Sequence, residues 1–120
     1  VVRVGERQLR VTALLPDASV AFRRQLEVPL PVLGVREWGG LPDGRTVVVV
    51  ASALHQGDVL VQERLTAVVL APTGQELHRT ELPPPDTADE QFRPLKVAAD
   101  GWLYQLRCGP DAAEVRRFAP

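Results

Sequence analysis

Hydrophobic residues in this chain follow the spacing of β-strands and almost never that of helices. Two continuous runs of apolar and β-branched residues, Thr46–Ala51 and Thr66–Ala71, predict strands that are buried on both faces or central in a sheet. Three further segments alternate apolar and polar side chains, which predicts strands with one buried face. These are Gln8–Leu14, Trp102–Arg107 and Glu114–Phe118.

Turn-forming residues separate these segments. The chain holds 11 prolines and 9 glycines, which interrupt it at short intervals and leave little room for helices. The pairs Asp43-Gly44 and Asp100-Gly101 supply the positive φ that tight hairpin turns require. Further turns are predicted at Pro16–Ala18, Gln56–Asp58 and Pro72–Gly74. The pattern therefore predicts an all-β fold made of antiparallel hairpins.

The chain also resembles itself at a nearly constant shift. A shift of 56 positions places Leu14–Ala18 on Leu70–Gly74, and a shift of 57 places Asp43-Gly44 on Asp100-Gly101. Several coincidences at one shift indicate an internal repeat. We therefore predict a single all-β unit over residues 1–120, with one repeat at 1–56, a second at 57–112 and the start of a third at 113–120.

The order of strands and turns resembles a known family. The segment Leu95–Leu106 is a hydrophobic strand, an Asp-Gly turn and an aromatic-containing strand, and a strand with a polar face follows at Ala113–Phe118. This order is similar to blades of bacterial β-propellers of the NHL, YVTN and quinoprotein-like kinds. Val68–Leu77 resembles the part of a blade that turns through Pro-x-Gly into its outer strand. The resemblance implies antiparallel β-meander repeats, with Trp38 and Trp102 in the blade cores.

About two blades do not close a ring, because propellers usually contain four to eight. We therefore expect either that the remaining blades belong to a longer protein or that copies of the chain assemble into a homo-oligomer. The sequence contains no methionine, which agrees with a processed or partial chain. A β-sandwich formed by one complete domain is the alternative fold.

Charge and composition exclude several classes of partner. Lys+Arg 14 against Asp+Glu 15 leaves a formal charge of -1, without the excess of cations that nucleic-acid binding requires. No apolar stretch is long enough to span a bilayer. The single cysteine, Cys108, cannot form an internal disulfide, so it does not indicate whether the protein is in an oxidising or a reducing compartment. The abundance of Arg over Lys is typical of bacteria with GC-rich genomes, and we expect the periplasm or cell surface rather than the cytoplasm.

Few residues in the chain have side chains suited to catalysis or metal binding. The two histidines, His55 and His78, have no Cys or carboxylate at zinc-ligand spacing, so we predict neither a metal site nor a cofactor. A pairing of His55 with Asp58 for metal binding or proton transfer is the alternative to a solvated loop. Loops at the ends of propeller strands carry binding, so we predict weak binding sites in the loops and in the acidic connector. The candidates are His55, Gln56, Asp58, Asp86, Asp89, Glu90 and Asp111.

No convergent catalytic set stands out in the sequence. Ser19 and Ser52 lack the Gly-x-Ser-x-Gly elbow, and Cys108 has no recognisable histidine partner. We therefore expect a non-catalytic β-propeller segment that serves as a protein–protein interaction scaffold in the bacterial envelope. The alternative is a fragment of a propeller enzyme, a hydrolase, lactonase or quinoprotein-type dehydrogenase, with catalytic residues outside this chain. A third hypothesis is a complete sandwich that binds through a sheet edge.

Overall fold

A computed structural model of the chain describes residues 1–83, 95–98, 100–108 and 113–119. Within these ranges the chain forms ten β-strands and no helix. The strands are β1 (Val2–Arg3), β2 (Gln8–Leu14), β3 (Val20–Glu27), β4 (Val32–Gly40), β5 (Thr46–Gln56), β6 (Val59–Leu70), β7 (Glu76–Leu82), β8 (Leu95–Val97), β9 (Leu103–Cys108) and β10 (Ala113–Phe118).

The strands form three antiparallel sheets. The first sheet contains β1–β3, the middle sheet contains β4–β7 and the third sheet contains β8–β10. Within each sheet every strand pairs with its neighbour along the chain, as expected for hairpins joined by short turns. The predicted all-β, antiparallel class is confirmed.

Both faces of the middle sheet are covered. Successive side chains of a strand point to opposite faces, so the continuous run Val47–Ala51 requires apolar neighbours on both sides. All five residues are buried, as are Leu65–Leu70 on β6. Burial of one valine or leucine side chain contributes about 1.5–3 kcal/mol. These two strands are therefore the energetic centre of the described fold.

Two separate hydrophobic clusters provide this cover. Even-numbered residues of β5 pack toward the first sheet and odd-numbered residues pack toward the third sheet. The cluster toward the first sheet includes Val48, Val50, Val68 and Leu70 with Leu9, Val11, Phe22 and Leu26. The cluster toward the third sheet includes Val47, Val49, Leu65, Ala67 and Val69 with Leu95 and Leu103. The middle sheet thus lies between the other two.

One turn geometry occurs four times in the part of the chain that the structure describes. In the first turn the N–H of Leu15 donates to the carbonyl of Ser19 at 2.9 Å, and the N–H of Ala18 donates back to the carbonyl of Leu15 at 2.9 Å. The other three turns make the same two bonds at 2.8–3.0 Å, and they begin at Leu41, Ala71 and Ala98. Leu15 and Ala71 lie 56 positions apart, and Leu41 and Ala98 lie 57 positions apart. The turns therefore recur at the shifts at which the sequence resembles itself, while the repeat boundaries stay a prediction.

The fourth residue of each turn has the left-handed conformation. Its φ is 66° at Ala18, where the residue is not glycine, and 86–91° at the other three positions, which are Gly44, Gly74 and Gly101. Glycine adopts positive φ without steric cost, which explains its use here. The sequence prediction of positive φ at the Asp-Gly pairs is confirmed.

Side chains of one sheet also donate to the backbone of the preceding sheet. Arg79 on β7 donates from Nη1 to the carbonyl of Glu27, at the end of β3, at 2.7 Å. Gln105 on β9 donates from Nε2 to the carbonyl of Pro83, just after β7, at 2.7 Å. Glu27 and Pro83 are 56 positions apart. The carbonyl at the same place in two successive sheets is therefore held by the sheet that follows it.

Candidate interaction surface

The hairpin of β5 and β6 extends beyond the rest of the middle sheet. β4 pairs with β5 only as far as Ser52, and β7 pairs with β6 only as far as Leu65. Ala53 still donates its N–H to the carbonyl of Pro31 at 2.9 Å, and beyond it the strand pairing, from Leu54 opposite Gln62 to Gln56 opposite Val59, joins only β5 and β6. The end of this hairpin, residues 54–62, is thus a two-stranded ribbon that we call the distal ribbon.

A tight turn closes the distal ribbon. Gln56 pairs with Val59, so Gly57 and Asp58 form a two-residue loop. Gly57 has a φ of 64° and Asp58 has no positive φ, which is the pattern of a type II′ turn with glycine at its first central position. The turn predicted at Gln56–Asp58 is confirmed. It places the side chains of both strand ends in solvent.

Three consecutive apolar residues are exposed beside this turn. Val59, Leu60 and Val61 have exposed fractions of 64%, 41% and 54%. The strand register sets His55 opposite Leu60 and Gln56 opposite Val59, so each face of the ribbon carries one polar and one apolar side chain. Covering the remaining exposed area of the three apolar side chains contributes about 1 kcal/mol each. Exposed apolar side chains grouped at one tip are candidates for contact with a partner.

The structure brings three of the predicted binding residues together at this tip. His55, Gln56 and Asp58 are all exposed on the distal ribbon, and none forms a side-chain hydrogen bond or ion pair with any other residue in the described ranges. The predicted residues Asp86, Asp89, Glu90 and Asp111 lie outside the described residues, as does the side chain of Cys108.

No protein-family model, curated protein or solved structure matches the chain. The assignment of a site therefore depends on the geometry of this molecule alone. Among the described residues, no group of three or more His, Cys, Asp or Glu side chains is placed to hold a metal ion. The same residues contain no helix with the length and apolar character needed to cross a membrane.

The carboxyl groups whose pKa values are lowered are Asp17, Asp43 and Asp100 in turns and Glu76 at the start of β7. The hydroxyl of Tyr104 donates to Asp100 at 2.7 Å and the N–H of Trp102 donates at 3.0 Å, and together these bonds lower the pKa of Asp100. The N–H of Arg45 is the largest cause that lowers the pKa of Asp43. Asp43 and Asp100 accept hydrogen bonds that close turns, so their lowered pKa values reflect a structural role.

Tryptophan placement differs from the sequence prediction. Trp38 on β4 is 66% exposed, so its prediction as a core residue is wrong in the described structure. The physical reason is the absence of a described strand opposite β4 on the first-sheet side. Trp102 is half-buried, and the guanidinium of Arg117 stacks 4.2 Å from the centre of its ring.

Sequence reasoning also missed the apolar part of the distal ribbon. It named His55, Gln56 and Asp58 but not Val59–Val61. The sequence shows Val59–Val61 as an apolar run, but the fact that β5 and β6 continue past Ala51 and begin before Thr66 is known only from the structure. Alternation alone does not reveal that the neighbouring strands are shorter, and this difference in length exposes Val59–Val61.

Proposed function

We propose that this chain is a β-propeller segment that serves as a non-catalytic protein–protein interaction scaffold. The observation that carries the proposal is the middle sheet, which is packed on both faces by sheets with the same turn geometry. Stacking of that kind positions each sheet by its neighbours. It provides a rigid base from which the distal ribbon extends into solvent.

The contacts between sheets support a stack with a repeating unit. Arg79 and Gln105 hold carbonyls that are 56 positions apart, and each belongs to the sheet that follows its acceptor. A two-sheet sandwich has only one interface between sheets, whereas the described residues form two. The same kind of contact at two interfaces favours a propeller-like arrangement over the sandwich.

The outer faces of the first and third sheets support continuation of the stack. Leu14 is 63% exposed, although Leu70, 56 positions later, is fully buried. Leu106 is exposed, although Val49, 57 positions earlier, is fully buried. Arg23, which lies 56 positions before Arg79, is exposed on the outer face of the first sheet. In the middle sheet the equivalent residues pack against a neighbouring sheet, so we expect further sheets to pack against these exposed positions.

The distal ribbon is the binding element of this proposal. Its apolar side chains lie beside uncharged and titratable polar groups, which is the combination found where a partner buries a hydrophobic centre within a polar rim. The strands beneath it are the most deeply buried in the described fold. The base of the ribbon is packed in the core, which limits the conformational entropy that a bound partner would remove there.

Site-specific photo-crosslinking tests the binding role. A photoreactive side chain replaces Leu60 in the full-length protein, and in a matched control it replaces Leu77, an apolar residue of β7 that is 51% exposed. We expect a discrete crosslinked protein from position 60 that disappears with Val59→Asp and is absent from position 77. Identical products at both positions, or none at position 60, would contradict the proposal.

The coding sequence that flanks the chain tests the propeller part. The four turns start 26 to 30 positions apart, and we expect further turns at such intervals, with Pro or Ala at the second position, Asp or Thr at the third and Gly or Ala at the fourth. Flanks without further turns, together with a protein that sediments as a stable monomer, would contradict the propeller assignment. Metal or quinone bound to the full-length protein, with hydrolase or dehydrogenase activity, would favour the enzyme alternative.

A further inference from the structure

A small cleft lies where the middle sheet meets the third sheet, between β4 and β8. Its volume is about 270 Å³, and its lining consists of Arg36, Glu37, Leu95 and Lys96. The two strands approach closely beside it, since a Cβ atom added at Gly39 would lie 2.9 Å from the Cβ of Val97. The cleft is therefore formed by the contact between two described sheets.

A β-bulge on β4 directs charged side chains to this cleft. Val35 pairs with Val50 on β5. The next pair is Glu37 with Val49, so Arg36 is the extra residue of the bulge. Directly opposite residues share a face, which places Glu37 on the side that Val49 presents to the third sheet. Val35 packs toward the first sheet, and regular alternation would have placed residue 37 there as well.

The charged side chains of the cleft are accessible to a ligand. Arg36 and Lys96 are exposed, and neither forms an ion pair with any other residue in the described ranges. Glu37 is half-buried, and one of its carboxylate oxygens accepts the N–H of Trp38 at 3.0 Å. This bond orients the carboxylate, while its other oxygen accepts no hydrogen bond from a described residue. Two cations and one oriented carboxylate thus converge on one cleft.

The charge of the lining favours one class of ligand. The two positive charges of Arg36 and Lys96, less the negative charge of Glu37, leave one net positive charge. A guanidinium pairs with a carboxylate through two parallel N–H bonds, and an ammonium group pairs with it as a point charge. The carboxylate of Glu37 favours a positively charged donor. A ligand with two carboxylates and one ammonium group therefore satisfies all three side chains and has the complementary net charge.

The size of the cleft agrees with a small ligand of this kind. Pockets for drug-sized molecules span about 300–1,000 Å³, so the 270 Å³ of this cleft suits a smaller molecule. Glutamate and aspartate are small molecules that carry two carboxylates and one ammonium group. The side chain of Leu95, which is 4% exposed, provides apolar lining for the short carbon chain between these groups.

We propose that this cleft binds a free acidic amino acid, glutamate or aspartate. Arg36 and Lys96 bind its two carboxylates, and Glu37 binds its ammonium group. Further sheets in the stack would pack on the outer faces of the first and third sheets, so the site between the middle and third sheets would stay open. The site shares no residue with the distal ribbon, and the inference does not depend on the function proposed for that ribbon.

Calorimetric titration of the full-length protein with L-glutamate and L-aspartate tests the site. We expect saturable binding of one ligand per chain. Glutamine lacks the second carboxylate and N-acetylglutamate lacks the ammonium group, so each should bind at least about tenfold more weakly than glutamate. The amidated dipeptide Glu-Ala lacks only the free α-carboxylate, and it distinguishes a free amino acid from the acidic N-terminus of a polypeptide.

Variants of the lining assign the contacts. Arg36→Gln and Lys96→Gln should each weaken glutamate binding at least about tenfold, because each removes one partner of a carboxylate. Glu37→Gln should weaken glutamate binding but strengthen binding of glutarate, which has two carboxylates and no ammonium group. Arg23→Gln is the matched control, since it removes an exposed arginine on the outer face of the first sheet and should leave binding unchanged.

Three results would overturn the inference. The first is the absence of binding up to millimolar concentrations of both amino acids. The second is binding of glutamine or of the amidated dipeptide that is as tight as that of glutamate. The third is an equal loss in Arg23→Gln and Arg36→Gln, which would indicate an effect of overall charge and not of a local site. A failed crosslink at Leu60 would concern only the distal ribbon, so the two proposals fail separately.

Discussion

Replacement of Gly74 by alanine tests the contact between the first and middle sheets. Gly74 has a φ of 91°, a conformation that costs an L-residue about 1–2 kcal/mol. The added Cβ would also lie 2.6 Å from Cδ1 and 2.8 Å from Cγ of Phe22. Phe22 is buried in the cluster between these sheets, so its ring has to shift, and overpacking of this kind costs about 1–3 kcal/mol.

The expected loss for Gly74→Ala is about 1–4.5 kcal/mol after a gain of about 0.4–1 kcal/mol from the stiffer unfolded chain. Gly101→Ala is the matched control, because Gly101 has nearly the same φ of 86° but its added Cβ meets nothing closer than Leu41 at 3.9 Å. The control should lose only about 1 kcal/mol. The difference between the two variants measures the contact with Phe22.

Urea unfolding of the wild type and both variants gives these free energies. The difference should shrink when Phe22 is replaced by leucine, because the smaller side chain leaves room for the new methyl group. Equal losses for Gly74→Ala and Gly101→Ala would refute the argument, since they would mean that the first sheet does not pack against the turn at Gly74.

Three further predictions concern titration, the link between sheets and the distal ribbon. Tyr104→Phe should raise the pKa of Asp100 toward its ordinary value, which carboxyl NMR can follow. A carboxyl whose pKa is lowered in the folded state stabilises the fold above its ordinary pKa, and this stabilisation is lost as the pH falls through the folded-state pKa. The variant should therefore be less stable near neutral pH, and its stability should depend less on pH in the acid range. An unchanged pKa would contradict this. Arg79→Met should cost about 1–2 kcal/mol in urea unfolding, because it removes both the bond to the carbonyl of Glu27 and the ion pair with Glu76 at 2.6 Å, and a neutral result would count against the link between the sheets. Leu60→Ser should change the unfolding free energy by less than about 0.5 kcal/mol, and a larger loss would show that this residue supports the fold.

Local pattern was sufficient to predict most of the strands. Gln8–Leu14 was predicted with the bounds of β2, because alternation of apolar and polar residues indicates a strand with one buried face. The run Thr46–Ala51 was predicted to be buried on both faces or central in a sheet, and Val47–Ala51 are buried because consecutive valines leave no face for solvent. Turn residues fixed the hairpin positions, since positive φ selects glycine at Gly44 and Gly101.

Features that depend on neighbouring strands were not predictable in the same way. Trp38 is a large aromatic residue of the kind that usually lies in a core, and it is exposed because no described strand packs over β4 on the side of the first sheet. Likewise, the distal ribbon is exposed because β4 and β7 stop pairing earlier than β5 and β6 do. Strand length relative to its neighbours is a property of the assembled sheet, and no residue in Val59–Val61 encodes it locally.

Methyl NMR of β5 tests most directly that the middle sheet is packed between two others. With assigned valine and leucine methyl groups, Val48 and Val50 should show nuclear Overhauser contacts to the first sheet, while Val47 and Val49 should show contacts to the third sheet. Contacts from all four valines to a single sheet, or from only one face to any sheet, would contradict the stacked arrangement and favour a two-layer sandwich.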